Sequence, residues 1–126
     1  MPSEDFQYAL LQIVPQIERG ERINAGVVLH SRRHGFLGAR VGLDRERLRA
    51  LDPECDPGAV ERHLRDLERV AAGDPAAGPI GALPRSERFH WLVAPASTAI
   101  QPSDVHSGLT ADPAATLESL FARLVA

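Results

Sequence analysis

The chain has 126 residues, of which 44% are hydrophobic and 25% charged, and a formal net charge of −3. That length and balance describe one globular domain, 1–126, large enough to bury a core without disulfide or metal support, and they exclude general disorder. The mild negative charge excludes a whole-surface attraction for nucleic acid or anionic membrane.

All 14 basic residues are arginine, so every cationic group is a planar fork suited to bidentate pairing with carboxylate or phosphate. The single cysteine, Cys55, has no partner for an internal disulfide or a zinc pair. It lies in the acidic stretch Asp52–Asp56, where neighbouring carboxylates raise a thiol pKa and oppose a reactive thiolate. No apolar run approaches the ~20 residues a membrane helix needs. Met1–Asp5 is acidic where a signal peptide is basic, so the cytoplasm is the expected compartment.

Phe6–Val14 reads as an interior strand, with Phe6, Tyr8 and Leu10 on one face and Ala9, Leu11 and Ile13 on the other. Pro15 ends it. After a polar connection containing Gly20, Ile23–His30 reads as a second strand. Ile23, Ala25, Val27 and Leu29 line one side; Asn24, Gly26, Val28 and His30 line the other. Phe36–Leu43 alternates again, and the short Ser31–Gly35 turn makes the two a hairpin.

Asp44 caps a short helix carrying Leu48 and Leu51, with Leu43 placed to staple its start. Asp56 and Pro57 open a second helix, with Val60, Leu64, Leu67 and Ala71 at helical spacing. The opposite face is charged, with Glu61–Arg65 and Arg62–Asp66 as i,i+4 pairs, and Gly73 closes the helix. Asp74–Pro84 reads as a loop. Arg88–Ala94 reads as a strand with Phe89, Trp91 and Val93 on one face. Pro95–Asp112 reads as irregular apart from a short strand near Ala99–Gln101. Asp112 and Pro113 then open a last helix whose Leu117, Leu120, Phe121 and Leu124 form a docking stripe. The predicted order is β-β-β-α-α-β-(β)-α. This is an α+β fold: a small, mainly antiparallel sheet of four to five strands with about three helices packed on it.

Two polar stretches interrupt this apolar framework. In Arg19–Gly26, Arg19 and Glu21 bring charge, Asn24 brings an amide, and Gly26 makes room for a close approach; a tight turn closed by a hydrogen-bonded Asn is the plainer explanation. In Ala94–Gly108, Ser97, Thr98, Gln101, Ser103, Asp104 and His106 place hydroxyls, an amide and an imidazole in a loop after a strand. Ser103, Asp104 and His106 are the residue types of a nucleophile, acid and base, but at no recognised spacing and without a Gly-x-Ser-x-Gly elbow. Turn capping by Ser and Thr accounts for them as well. The five histidines show no metal-ligand spacing, and neither a Walker sequence nor a dinucleotide fingerprint occurs. No metal and no cofactor is expected.

Several segments together carry a resemblance. Tyr8–Pro15, Arg19-Gly20-Glu21, Asn24-Ala25-Gly26-Val27-Val28-Leu29 and Phe36-Leu37-Gly38-Ala39-Arg40 make up the first half. Trp91-Leu92-Val93-Ala94-Pro95-Ala96-Ser97-Thr98, Gln101-Pro102-Ser103 and Val105-His106-Ser107-Gly108 make up the second. With these, the chain resembles the DUF3037 family of small bacterial proteins of unknown function, nearly end to end. Where related chains commonly carry proline after the matching serine, this one carries Asp104. Members are often encoded beside a HipA-like kinase, so the resemblance implies an accessory role with such a kinase as partner.

The leading expectation is therefore a non-catalytic binding or accessory protein. Its surface would join Arg19, Glu21 and Asn24 to Ser97, Thr98, Gln101, Ser103 and His106, with Arg40 as a third contributor. A protein partner or a small anionic ligand would suit those groups. Two alternatives stand beside it: a small enzyme or phosphotransfer accessory using His106 with Ser103 or Asp104, and a homodimer formed through an exposed sheet edge.

Overall fold

A computed structural model describes residues 2–96 and 98–126. Five strands form one antiparallel sheet: β1 (Glu4–Ile13), β2 (Ile23–Ser31), β3 (Phe36–Val41), β4 (Ile100–Pro102) and β5 (His106–Thr110). The order is β3-β2-β1-β4, with β5 also on β1. Strand β1 is thus paired on both sides, as its apolar content on both faces requires. Among the described residues, four α-helices accompany the sheet: α1 (Arg45–Leu51), α2 (Pro57–Ala72), α3 (Arg85–Leu92) and α4 (Pro113–Leu124). The α+β class stands, with one more α-helix than the sequence suggests.

The helix starts follow from local chemistry. The carboxylates of Asp44, Asp56 and Asp112 accept backbone N–H groups of the first helical turns, satisfying donors that a helix leaves free. Pro57 and Pro113 occupy first positions, where a missing N–H costs nothing. Gly73 closes α2 at φ 70°, a left-handed conformation that glycine adopts without strain. The half-buried guanidinium of Arg88 donates to the Leu83 and Ala71 carbonyls and so ties α3 to the end of α2. The charged face of α2 pairs differently from the expected i,i+4 pattern. Among the described residues, Glu61 pairs with Arg45 of α1 and Asp66 with Arg69.

Helices α1, α2 and α3 cover one face of the sheet. Leu11, Ile13, Ile23 and Ala25 meet Leu48, Val60 and Leu64 there, and Ala9 and Val28 meet Val70, Phe89 and Leu92. On the other face, Phe6, Val27 and Leu29 meet Leu117 and Leu120 of α4.

Three segments differ from the sequence reading. Arg88–Ala94 is not a strand; it falls largely within α3. Phe89 and Leu92, three residues apart, are the buried pair, which is helical spacing, while Trp91 is 43% exposed. The free edge of β1 that a strand there would need is taken by β4 and β5. Asp74–Pro84, expected as a loop, contains the 3₁₀ segment Pro75–Ala82, kinked at Gly78. His106–Thr110, expected as irregular, is strand β5; as an edge strand with mostly exposed side chains it lacks the apolar alternation that marks a strand.

Gly108 lies opposite Phe6, and a Cβ there would sit 2.7 Å from the buried Phe6 ring. Gly108→Ala is therefore expected to cost about 1–3 kcal/mol through overpacking. This would appear as a lower urea midpoint at unchanged m; an unchanged midpoint would show that the ring yields freely.

Candidate functional site

Two one-residue bulges bracket the middle of β1. On the β2 side, Leu11 faces Gly26 and Gln12 faces Asn24, so a single step along β1 spans two along β2. On the other side, Leu11 faces Pro102 and Tyr8 faces His106, so three steps along β1 span four. A bulge bends its strand and re-aims side chains.

The β2 bulge corrects the expected facing of Asn24 and Gly26. Ala25 and Gly26 both turn toward the face covered by α1–α3, where a Cβ on Gly26 would meet Leu11 and Val41. Asn24 turns to the α4 face. Its Nδ2 donates to the Leu124 carbonyl at 3.0 Å, and its Oδ1 accepts from Gln12 Nε2 at 3.0 Å. Arg22 Nη1 donates to Gln12 Oε1 at 3.2 Å, so the Gln12 amide uses both ends.

The second bulge falls at Ser103. Its Oγ accepts the Leu10 N–H at 2.8 Å and donates to the Asp104 carbonyl, and its own N–H donates to the Leu10 carbonyl. The hydroxyl thus takes the place of a ladder carbonyl and carries the edge strand across its break. No hydrogen bond joins it to His106 among the described residues; the imidazole instead packs on Tyr8, with ring centroids 5.3 Å apart.

Helix α4 lies over β2 and β3 and leaves the β1–β4–β5 side of its face open. Two rows cross that open half. Asn24, Gln12 and Gln101 form one through paired register; Tyr8 and His106 form the other, four residues along β1. That separation is about 13 Å at strand rise. Asn24, Gln101, Ser103 and His106 therefore share one side of the sheet. Thr98 stands just before β4, donating to the Ile100 carbonyl, and Gln101 Nε2 donates back to the Thr98 carbonyl. Arg19 and Glu21 pair with each other in the exposed loop joining β1 to β2, and that hydrogen bond and charge raise the Arg19 pKa above its ordinary value. Arg40 is placed elsewhere: on β3 it pairs with Glu118 and lies 4.4 Å over the Phe121 ring, both of α4. Ser97 lies outside the described residues.

Gln12 and Arg22 are the members that sequence reasoning missed. The signal for Gln12 was present, because it continues the Phe6–Tyr8–Leu10 face and breaks it with an amide.

The opposite face offers a different surface. An apolar groove of about 300 Å³ runs beside β4, lined by Leu11, Leu67, Trp91, Leu92, Ile100 and Pro102 among others. Among the described residues, no strand pairs with the outer edge of β4 or β5, and no group of three or more His, Cys, Asp or Glu is placed to hold a metal ion. Burial first, then Asp52 and Asp56, pushes the Cys55 thiol up, so the thiolate is disfavoured for one reason beyond the sequence reading. No described helix is long and apolar enough to cross a membrane.

The architecture is that of a small α+β sheet protein in which, among the described residues, one half-face is open and both sheet edges, β3 on one side and β4 with β5 on the other, lack a further strand. The chain belongs to the DUF3037 family, described as a protein of unknown function, whose model matches residues 8–125. No curated protein and no solved structure matches it.

Asn24→Ala leaves the Leu124 carbonyl and the Gln12 amide without their partners, so it is expected to lower stability by about 1–3 kcal/mol. Amide exchange in residues 124–126 should quicken as the end of α4 loosens. Unchanged exchange there would show that the Asn24 bond does not hold the helix end.

Proposed function

We propose that this protein is a non-catalytic binding module that takes an extended polypeptide segment along the outer edge of β4 and β5. The observation that carries this reading is the edge itself. Its backbone is unpaired on the outer side, Gln101 and His106 lie on one face in separate rows, and the apolar groove with Trp91 lies on the other.

An added strand forms main-chain hydrogen bonds and sends alternate side chains to opposite faces. Here one set would meet amide and imidazole groups, and the other would enter the groove, where Trp91 is already 43% exposed. Aromatic side chains beside a pocket carry a large share of binding energy in such contacts. The Ser103 bulge limits how much of the edge is continuous, which restricts self-pairing and favours a fitted partner. Arg19 and Glu21 supply a charged rim at the sheet end nearest Gln12. The family resemblance makes a HipA-like kinase the first partner to test.

The expected outcome is that tagged wild-type protein retains such a partner, while Trp91→Ala and His106→Ala each weaken the complex about tenfold or more, near 1.4 kcal/mol, at an unchanged melting temperature. Titration of purified components reads the affinity. Full binding by both variants would remove this edge from consideration. A concentration-dependent dimer in light scattering that the same variants dissolve would assign the edge to a second copy of this chain.

A further inference from the structure

At the far end of the sheet from Gln12, and on the face covered by α1–α3, strands β1, β2 and β5 and helix α3 part to leave a cleft of about 520 Å³. Paired register sets His30, Gln7 and Ser107 in one row across its floor. Ser86 and His90 line it from α3, Arg32 from the chain just after β2, and Asp5 from the start of β1. His30 is 8% exposed, and its ring stacks on Phe89 with centroids 5.0 Å apart. Among the described residues neither of its ring nitrogens has a hydrogen-bond partner, so the polar atoms of a buried imidazole face the cleft.

These nitrogens are not sealed from water, unlike Arg88 Nε, which is buried without a partner; they open onto the cleft and are free to meet a ligand. The core does not use this imidazole as a donor or acceptor. The surroundings are moreover rich in donors: a guanidinium, a second imidazole, an amide and two hydroxyls approach from β1, β5, α3 and the turn after β2. Burial, then His90, Arg85 and Arg32, hold the His30 pKa below its ordinary value. Cations are thus close, and Asp5 is the carboxylate that lines the same cleft.

We propose that this cleft binds the dianionic head of a phosphate monoester, with Arg32, His30, Ser86 and Ser107 as its donors. Charge selects the class. Arg32 and the nearby Arg85 contribute two positive charges and Asp5 one negative; proton uptake by His30 adds one more positive. The resulting surplus of two matches a phosphate close to its second ionisation. A carboxylate would leave one positive charge uncompensated, and being planar it would reach fewer donors arriving from three sides. The site is separate from the binding edge: successive residues of β5 serve the two, with Ser107 turned into the cleft and His106 toward the open half-face.

The charged and titratable groups facing His30 are Asp5 of β1, Arg32 beyond β2, and Arg85 and His90 of α3. A bound dianion offsets the two arginines that hold the His30 pKa down, so His30 should take up a proton on binding.

The test is a titration of the intact protein with inorganic phosphate, following the histidine ring resonances by NMR at constant ionic strength. Saturable shifts at His30 and His90, with a dissociation constant on the order of 1 mM, are expected. The His30 pKa should rise when phosphate is bound, and Arg32→Ala, an exposed position that folding tolerates, should weaken binding about tenfold. Acetate should give no saturation, and Trp91→Ala should leave the phosphate titration unchanged, which separates this site from the edge. Absence of saturation by phosphate, equal saturation by acetate, or undiminished affinity in Arg32→Ala overturns the proposal.

Discussion

Strand β1 has a partner on each side, three helices over one face and α4 beside part of the other, and the rest of the sheet is arranged around that constraint. With β2 on one edge and β4 and β5 on the other, its backbone groups are satisfied within the sheet. Ala9, Leu11 and Ile13 are fully buried beneath α1–α3. On the reverse side, Phe6 joins the α4 core, Tyr8 and Leu10 are half-buried against it, and Gln12 is held by Asn24. The chain reaches the second edge of β1 only after crossing the sheet through α1, α2 and α3, and this crossing places three helices on one face and a single helix on the other.

The bulges on either side of Leu10–Gln12 then decide which polar groups can act. An extra residue at Ala25 sends Asn24 to the side of α4 and Gly26 into the core. An extra residue near Ser103 breaks the edge strand while the serine hydroxyl keeps the ladder satisfied. Polar side chains in a sheet are thereby held by hydrogen bonds to fixed backbone atoms, and the half-buried Gln101 and the exposed His106 stand on strands rather than on a free loop.

Much of the framework was legible in the sequence, because its signals are local. Asp44, Asp56 and Asp112 cap as their side chains allow, Gly73 ends a helix, and the Phe6–Tyr8–Leu10 against Ala9–Leu11–Ile13 alternation places β1 inside the sheet. What was not legible depends on contacts distant in sequence. Phe89, Trp91 and Val93 alternate like a strand, but the space over Ala9 and Val28 admits Phe89 and Leu92 from a helix. His106–Thr110 carries little pattern because its pairing comes from β1, about a hundred residues earlier. The facing of Asn24 and Gly26 could not be read from alternation, since a bulge breaks the period of two on which such a reading rests. The polar residues of the open half-face were visible as interruptions, whereas Arg40 looked equivalent to them until α4 claimed it. The cleft at His30 was hidden for the same reason: its members come from both ends of the chain and one helix between.

The pairing of β1 with β4 and β5 has a consequence for how the molecule comes into being. A ribosome delivers Glu4–Ile13 well before Ile100–Thr110, so one side of β1 waits bare while the hairpin and three helices are made. β4 and β5 must both emerge before that side is closed, at a pace of about 5–20 residues per second. Closure across so long a loop is slow compared with forming the β2–β3 hairpin or the capped helices. In that interval the nascent chain presents the kind of unpaired strand that chaperones shield.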